Sequence, residues 1–343
     1  MTPPSRRTKR LATGCLLLLP MLNACGGGSP AAPGPVPTPS APASPASVHD
    51  VAVVVFYDQN QDGRLDRNED VRVPDATVEI AGRTGVSDRV SGRVVVAGVP
   101  DGPQDVLAPA DGLPPFFVSA PRAIVVPTTV DVNLSVTLPI GRNRPHRYMA
   151  VGDSITVGDG SNGGQGYPGR LESQLARHFG QAVVVNRGVT ATDTREGLRL
   201  IRDQLQAERP AYTLIHYGTN DWLHCAGQIP CYTVDNLRRM VEAVRGPQSL
   251  PCLATIIPVN PKLNSPGRNN WIHNIDARIR DLAAAQGALL DLEAAFLREP
   301  DLSALFSDHV HPNDRGHKIM ADEFFRAISR PRGTSASGSG VEL

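Results

Sequence analysis

Two short motifs, far apart in the chain, contain the residue types needed for acyl transfer. Ser154 lies in a Gly-Asp-Ser-Ile segment, and Asp308 precedes His311 by three residues in a Ser-Asp-His-Val-His segment. A serine hydroxyl is a weak nucleophile that needs an adjacent base. His311 can be that base, and Asp308 can orient its ring. His309 is an alternative base, but its adjacency to Asp308 suits such a pair poorly. We therefore predict covalent catalysis by Ser154, His311 and Asp308.

The tetrahedral intermediate of acyl transfer carries a negative oxygen, which needs hydrogen-bond donors at preset positions. Three donors are candidates for this oxyanion hole: the backbone N–H groups of Ser154 and Gly188, and the side-chain amide of Asn220. Glycine suits this role because it has no side chain to block an approaching carbonyl. Arg187 is either a substrate contact or a solvated charge. We expect two neighbouring carboxylates to be structural hydrogen-bond acceptors, those of Asp153 and Asp221.

From residue 147 onward, short apolar runs alternate with amphipathic patterns, which predicts βαβ units and a parallel sheet. Strands are predicted at 148–151, 182–185, 212–217, 252–257 and 288–292, and helices at 167–178, 194–206, 234–244, 271–285 and 315–328. Right-handed crossovers favour an α/β fold with a flavodoxin-like, doubly wound sheet, an αβα arrangement. Active sites in such sheets lie beyond the carboxyl ends of the strands. Ser154, Gly188 and Asn220 each follow a predicted strand.

Together these motifs resemble those of the SGNH hydrolases, also called the GDSL esterase and lipase family. The four letters of that name are matched in order by Ser154, Gly188, Asn220 and His311. Asp308 and His311 match the family's Asp-x-x-His block, and Ile155 replaces the leucine of Gly-Asp-Ser-Leu. The resemblance covers about residues 146–330. It implies a flavodoxin-like sheet and a serine hydrolase that cleaves carboxylic esters without a catalytic cofactor.

The sequence leaves the substrate open among small-molecule and glycan esters. An aromatic content of 5% and the lack of a long hydrophobic lid segment favour small acyl esters or acetylated glycans. An acyltransferase would use the same acyl-enzyme and is one alternative. A calcium-dependent surface-binding module with an inactive hydrolase domain is another, although the complete set of catalytic residue types argues against an inactive relic.

Residues 58–69 match the pattern of a calcium-binding loop, with Asp at positions 1 and 5, Gly at 6 and Glu at 12. The predicted ligands are the side chains of Asp58, Asn60, Asp62 and Glu69 and the backbone carbonyl of Arg64. Because residues 51–57 are predicted to form a strand, the loop is not flanked by EF-hand helices. The segment is similar to the calcium-binding, prealbumin-like B-type repeats of bacterial surface proteins. We expect a structural calcium ion here; the alternative is an acidic turn held by Asx hydrogen bonds.

The segment surrounding this loop, residues 48–140, has the pattern of a separate all-β domain. Valine-rich runs recur, and apolar residues alternate with polar ones through residues 129–138. Period-2 runs separated by Gly, Pro and Asp predict a small antiparallel β-sandwich. The sequence therefore predicts this sandwich at 48–140, followed by the hydrolase domain at 146–330.

The first 24 residues have the pattern of a signal peptide, with a basic stretch followed by an apolar run too short to span a bilayer. The run ends in Leu-Asn-Ala before Cys25, which resembles the bacterial lipobox and implies acylation of Cys25. An ordinary signal peptide cut near Ala24 is the alternative. We expect an exported bacterial lipoprotein, held by its lipid on the periplasmic or cell-surface side. Residues 25–47 are predicted to be a Pro/Ala/Ser/Gly linker, and 331–343 a disordered tail.

Cysteine and charge content agree with an exported protein. Cys225 and Cys231 flank a short loop and are the natural disulfide pair in an oxidising compartment. Cys252 begins an apolar run and is predicted to be a buried free thiol. Beyond residue 24 the chain has 30 basic against 34 acidic residues, a net charge of −4, with no basic block. Nucleic acid is therefore not an expected partner.

Overall fold

The computed structural model describes residues 47–66, 71–225, 231–286 and 289–331, together with Gly34. The predicted signal peptide, Cys25 and the C-terminal tail after residue 331 lie outside the described residues, as does the predicted linker apart from Gly34 and Ser47. The described residues from 47 onward belong to one compact unit. In the part of the chain that is described, no helix is long and apolar enough to cross a membrane.

The first part of this unit is all-β, as predicted. Its strands are β1 Val48–Tyr57, β2 Val71–Arg72, β3 Thr77–Ile80, β4 Arg83–Val86, β5 Arg93–Pro100, β6 Gly102–Leu107, β7 Val118–Ser119, β8 Arg122–Val126 and β9 Val132–Thr137. One sheet has the order β2-β1-β9-β7, with β5 also paired to β1, and the other has the order β4-β3-β6-β8. Alternate residues of β1 and β9 are buried, because successive side chains of a strand point to opposite faces.

One strand pair departs from the antiparallel pattern that the sequence predicts. β1 and β9 run parallel, with Val53 opposite Val132, whereas the other pairs described in these two sheets are antiparallel. The chain between them builds the whole second sheet before it returns. A long crossover of this kind allows a parallel pair, which a short hairpin does not.

The second part contains a five-stranded parallel sheet. Its strands are β10 Arg144–Gly152, β11 Val183–Asn186, β12 Pro210–His216, β13 Leu250–Ala254 and β14 Leu289–Leu290. They lie in the order β11-β10-β12-β13-β14, and every neighbouring pair is parallel. This order confirms the predicted flavodoxin-like sheet. All residues of β12 and β13 are buried, as expected for central strands covered on both faces.

Helices cover the two faces of this sheet. They are α1 Ser154–Val157, α2 Gly166–Phe179, α3 Thr194–Glu208, α4 Trp222–Cys225, α5 Thr233–Arg245, α6 Pro266–Gln286, α7 Leu292–Leu297 and α8 Asp314–Ser329, with short 3-10 helices at Asn162–Gly164 and Leu302–Leu305. A third 3-10 helix, Ala110–Gly112, lies between β6 and β7 in the first part of the unit. The apolar faces of α2 and α8 belong to one buried cluster, and those of α3, α5 and α6 to another. The five long helices agree with prediction, whereas α1, α4 and α7 are too short to leave a periodic pattern.

The all-β part and the parallel sheet share one hydrophobic core. The ring of Tyr57 lies 5.2 Å from that of Phe117 and 5.1 Å from that of His146. Phe117 in turn lies 6.4 Å from Phe179 at the end of α2. A single cluster of buried residues extends through both parts. The two predicted domains are therefore packed as one unit.

The cysteines in the described residues differ in state. Cys225, at the end of α4, is joined by a disulfide to Cys231, which lies just before α5, and their Cα atoms are 5.8 Å apart. Cys252 in β13 is buried and free, as predicted. Burial raises the pKa of the Cys252 thiol to about 12, so this thiol is protonated and unreactive at neutral pH.

Candidate active site

Ser154 is presented by a sharp turn between β10 and α1. Asp153 is the N-cap of α1, and its carboxylate accepts a hydrogen bond of 3.0 Å from the backbone N–H of Ile155. A Cβ atom on Gly152 would lie 2.4 Å from the backbone oxygen of His216 in the adjacent strand, so only glycine allows the turn to sit this close. Ser154 is thus the first residue of a helix, where backbone N–H groups have no intrahelical acceptor.

The structure brings Ser154, His311 and Asp308 into one hydrogen-bonded chain. Ser154 Oγ lies 2.9 Å from His311 Nε2, and His311 Nδ1 lies 2.7 Å from Asp308 Oδ2. Ser154 is only 7% exposed. His309 instead has an exposed side chain, with Nδ1 3.8 Å from Asp308 Oδ1. His311 is therefore the histidine adjacent to the serine, in the geometry of a nucleophile, base and orienting acid.

Asp308 is held in its ionised form. Partial burial raises its pKa, but hydrogen bonds from the His311 ring and from the backbone N–H groups of His311 and Val310 outweigh that effect and lower the pKa to about 2. A carboxylate that stays charged stabilises an imidazolium beside it. Asp308 can therefore support proton transfer to His311 over the whole neutral range.

A loop that the sequence analysis did not single out holds the Asp308–His311 segment in place. This loop follows β13. Asn260 donates through its side-chain amide to the backbone oxygen of Asp308 at 3.2 Å, and through its backbone N–H to that of His309 at 3.1 Å. Asn264 donates to the same oxygen of His309 at 2.6 Å. Only their position in the sequence could have indicated this role, because both asparagines follow the fourth predicted strand.

The loop after α1 packs against the other side of the histidine segment. A Cβ atom on Gly160 would lie 2.3 Å from the backbone oxygen of Pro312 and 3.0 Å from the Cβ atom of His311. His317 is in α8, and its Nε2 lies 3.1 Å from the backbone oxygen of Asp159. Burial lowers the pKa of His317 to about 4, so this ring is neutral and can donate one hydrogen bond. These contacts fix the distance between the serine turn and His311.

Asn220 lies after β12, with its side-chain amide already oriented. Its Nδ2 donates to the backbone oxygen of Thr192 at 2.9 Å. A primary amide has two hydrogens, so the second one remains for a ligand. The next residue, Asp221, is buried and accepts hydrogen bonds from Thr194 and Thr233, which confirms its predicted structural role.

Gly188 lies after β11 and packs directly against the helix that carries the serine. A Cβ atom here would lie 2.6 Å from the backbone nitrogen of Val157 and 3.0 Å from the backbone oxygen of Asp153. Packing against α1 therefore requires glycine at this position, independently of any approach by a substrate. The N–H of Gly188 donates to Asn186 Oδ1 at 3.0 Å. For Gly188 to serve as an oxyanion donor, this N–H must turn to, or be shared with, the substrate.

Other charged residues near the rim have structural partners. Arg187 and Arg147 both pair with Glu208, whose carboxylate is buried. Their hydrogen bonds lower the pKa of Glu208. Arg187 is therefore an ion-pair residue and not a solvated charge. Burial raises the pKa of Asp153 to about 7, and its role as helix cap is the structural role predicted for it.

The predicted calcium loop is described only as far as residue 66, so Glu69 lies outside the described residues. Three side-chain oxygens of the loop accept hydrogen bonds from backbone N–H groups. Asn60 Oδ1 accepts one from Asp62, and Asp62 Oδ1 accepts one from Arg64. Asp58 Oδ2 accepts one from Gly63. Asp58 is 2% exposed, and its Oδ1 has no hydrogen-bond partner in the described structure. No group of three or more His, Cys, Asp or Glu residues in the described ranges is placed to hold a metal ion.

Comparisons with known proteins found a matching family model and a similar esterase. The family model of the GDSL-like Lipase/Acylhydrolase family matches residues 150–319. The Esterase TesA of Pseudomonas aeruginosa is 32% identical over 97 residues, which cover 28% of this chain and 47% of that esterase. The chain thus spans about half the length of the curated relative it matches.

Solved structures with a similar domain were also found. A putative lipolytic protein of the G-D-S-L family from Desulfitobacterium hafniense is 22% identical, with a TM-score of 0.46, and the match covers 53% of this chain and 99% of that one. The acetylxylan esterase Axe2 from Geobacillus stearothermophilus is 22% identical, with a TM-score of 0.47 and coverage of 58% and 100%.

The parallel sheet and the hydrogen-bonded serine, histidine and aspartate at its carboxyl edge define an αβα domain of the hydrolase type. Residues 150–319 are a GDSL-like lipase/acylhydrolase domain. The family resemblance predicted from Ser154, Gly188, Asn220 and His311 is thereby confirmed for this part of the chain.

Proposed function

We propose that this protein is a serine esterase that hydrolyses carboxylic esters of small acyl groups on glycans or small alcohols. The observation that carries the proposal is the hydrogen-bonded chain from Ser154 Oγ to His311 Nε2 (2.9 Å) and from His311 Nδ1 to Asp308 Oδ2 (2.7 Å). The match to an acylhydrolase family and the similarity to an esterase support it.

The proposed reaction has two acyl-transfer steps. Ser154 Oγ attacks the acyl carbon while His311 Nε2 takes the hydroxyl proton, and His311 then gives that proton to the departing alcohol. A water molecule next loses a proton to His311 and attacks the acyl-enzyme. His311 returns that proton to Ser154 Oγ as the acid is released, which restores the free enzyme. Asp308 holds the ring orientation throughout. No step requires a metal ion or an organic cofactor.

In this proposal, the developing oxyanion accepts hydrogen bonds from three donors. The N–H of Ser154 is at the start of α1, where backbone N–H groups have no intrahelical acceptor. The second hydrogen of the Asn220 amide is available because the first is bound to Thr192. The N–H of Gly188 becomes available when its contact with Asn186 lengthens or is shared.

Replacement of the nucleophile tests this function directly. Ser154→Ala should lose ester hydrolysis by at least about 10³-fold while the unfolding temperature is retained, because the triad residues act as a unit. A fluorophosphonate probe should label the wild type at Ser154. Ser173→Ala, an exposed serine on α2, is the matched control and should keep full activity. Labelling at another residue, or full activity in Ser154→Ala, would contradict the proposal. Product analysis with and without a sugar acceptor separates hydrolysis from acyl transfer to that sugar.

We also propose a structural calcium ion in the loop that begins at Asp58. The buried Oδ1 of Asp58 has no hydrogen-bond partner in the described structure, and burial of an unpaired carboxylate oxygen is unfavourable. A hard cation held by Asp58, Asn60, Asp62, the carbonyl of Arg64 and Glu69 would satisfy that oxygen. The ion belongs to the all-β part and supplies no catalytic group.

Export as a lipoprotein is a further part of the proposal, and it rests on sequence alone. The motif before Cys25 supports acylation of that cysteine, and more than one acyl chain is needed for firm anchoring. The mature protein should begin at an acylated Cys25 and partition with detergent, and Cys25→Ser should release it from membranes. An unmodified N-terminus elsewhere would exclude the anchor.

A further inference from the structure

Among the charged residues that line a groove of about 1280 Å³ between α3 and α5, positive ones predominate. Among the described residues that line it, Glu242 is the single acidic one, and its carboxylate pairs with Arg238, which is not part of the lining. Six exposed arginines line the groove: Arg142, Arg195, Arg199, Arg202, Arg209 and Arg239.

Three of these arginines lie along α3, and a fourth is the residue that caps its C-terminus. Arg195, Arg199, Arg202 and Arg209 follow one another at intervals of four, three and seven residues. The first two intervals place Arg195, Arg199 and Arg202 on one face of the helix. Arg209 follows the last helical residue in a left-handed conformation. With a rise of about 1.5 Å per residue, the four arginines span roughly 21 Å. Arginines therefore lie along the first half of the helix and again at its C-terminal end.

The series of four arginines begins beside the candidate active site. Thr192, which accepts the hydrogen bond from Asn220 Nδ2, lies two residues before the start of α3. The other end, at Arg209, reaches the opposite edge of the sheet, where its backbone oxygen accepts from the N–H of Arg144 at the start of β10. In such an arrangement, a long substrate with its ester at Ser154 would extend past Asn220 and along these arginines.

Most of the guanidinium groups in the groove lack an anionic partner. Within the described ranges, no ion pair involves Arg142, Arg199, Arg202 or Arg239, although Arg195 pairs with Asp193. Since the chain after residue 24 has a net charge of −4, the groove is a local concentration of positive charge. Guanidinium groups bind carboxylates in a bidentate geometry. A ligand with repeated anionic groups would relieve their mutual repulsion.

The shape and lining of the groove indicate which polyanion it fits. Leu198 and Leu205 contribute apolar surface between the charges, and the concave form suits a single chain better than a flat bilayer surface. No aromatic side chain lines the groove in the described structure, whereas single-stranded nucleic acid is bound by stacking of bases on such side chains. We propose that the groove binds an acidic polysaccharide, and that the ester substrate is an acylated glycan with carboxylate-bearing sugars; the substrate assignment rests on the proposed esterase function.

Binding can be tested apart from catalysis with the full chain carrying Ser154→Ala. Its affinity for unacetylated polygalacturonate should fall at least tenfold when Arg199→Ser and Arg202→Ser are added. The matched control adds Arg83→Ser and Arg278→Ser, two exposed arginines outside the groove without ion pairs in the described residues, and should bind like the parent. The difference should shrink at high salt, because exposed charges are screened. Equal affinities, or tighter binding of a deoxythymidine oligonucleotide than of polygalacturonate, would overturn the proposal.

The substrate assignment is tested by kinetics on three esters in the chain with Ser154 intact. The Arg199→Ser/Arg202→Ser variant should raise KM for acetylated polygalacturonate at least tenfold. Its KM values for p-nitrophenyl acetate and acetylated xylan should equal those of the wild type. Equal effects on all three esters would refute the assignment. Arginine-dependent binding of polygalacturonate without hydrolysis of any ester would refute the esterase function and retain the polysaccharide groove.

Discussion

At the scale of single residues, the candidate site consists of a few polar groups whose hydrogen bonds determine their chemistry. Ser154 and His311 are joined by one hydrogen bond, and Asp308 is held ionised by three. Asn220 uses one amide hydrogen for structure and keeps the other for a ligand. Replacement of Asn220 should therefore affect both the stability of the fold and the rate of the reaction, and the two effects can be measured separately.

Asn220→Ala tests the oxyanion role. The variant should lower kcat by about 10²–10³ with little change in KM, because the lost hydrogen bond is made mainly in the transition state. The lost bond to Thr192 should reduce the free energy of unfolding by only about 1 kcal/mol. Steady-state kinetics together with thermal unfolding separate the two effects. A change confined to KM would mean that Asn220 only binds substrate.

His216 supports a prediction about pH. Its ring is fully buried at the end of β12, neither ring nitrogen has a hydrogen-bond partner in the described structure, and burial lowers its pKa from 6.5 to about 3. Between these pH values the unfolded chain binds a proton that the folded chain does not, so the stability of the wild type falls as the pH falls.

His216→Phe removes this proton uptake and keeps a ring in place. Relative to the variant, the wild type should lose about 1.4 kcal/mol of unfolding free energy per pH unit as the pH falls from 6.5 toward 3. Denaturant unfolding at several pH values measures both curves. If the unfolding free energies of the wild type and the variant change with pH in parallel, His216 has the same protonation in the folded and unfolded chains.

At the scale of elements, the short helix α1 is held by residues at the end of β11 and in the loop that follows it. Gly188 contacts its backbone, and the Asn186 amide donates to the backbone oxygens of Thr156 and Val157 at 2.7 and 3.1 Å. The position of Ser154 therefore depends on the loop after β11 as well as on its own turn.

Gly188→Ala tests this dependence. The new Cβ atom would lie 2.6 Å from the nitrogen of Val157, and backbone on both sides leaves little room to adjust. We expect a loss of about 1–3 kcal/mol in unfolding free energy and a lower kcat, because α1 must shift with Ser154. Gly267→Ala is the matched control, since its Cβ atom would meet only Ser265 Oγ at 3.9 Å. Unchanged stability and kcat in Gly188→Ala would show that the contact is not tight.

At the scale of the whole molecule, the all-β part and the parallel sheet share a core through Tyr57, Phe117, His146 and Phe179. We therefore expect Ala46–Leu343 to unfold in one transition. A ligand that binds only the folded chain should then stabilise both parts together.

Calcium removal tests this coupling. An ion at Asp58 would stabilise the folded chain by about 2.7 kcal/mol at a hundredfold excess over its Kd. A chelator should therefore lower the temperature of the single transition. It should leave kcat unchanged at temperatures where the chain stays folded, because the proposed chemistry uses no metal. Loss of activity without unfolding would place a metal in the active site, and an unchanged transition would exclude the ion. Differential scanning calorimetry and ester hydrolysis on the same samples give both readouts.

The sequence by itself determined the order of the five strands and five long helices after residue 146, the flavodoxin-like sheet and the group formed by Ser154, His311 and Asp308. It could do so because local periodicity marks each element, and because parallel strands bring their carboxyl ends to one edge. The tertiary structure decided what depends on contacts between distant segments: the parallel pairing of β1 with β9, the core shared by the two parts, and the support of the histidine segment by Asn260. It also decided that the arginines of α3 face those of other segments across one groove. Such contacts are made by residues many positions apart, and no local pattern of residue types records which distant surfaces will meet.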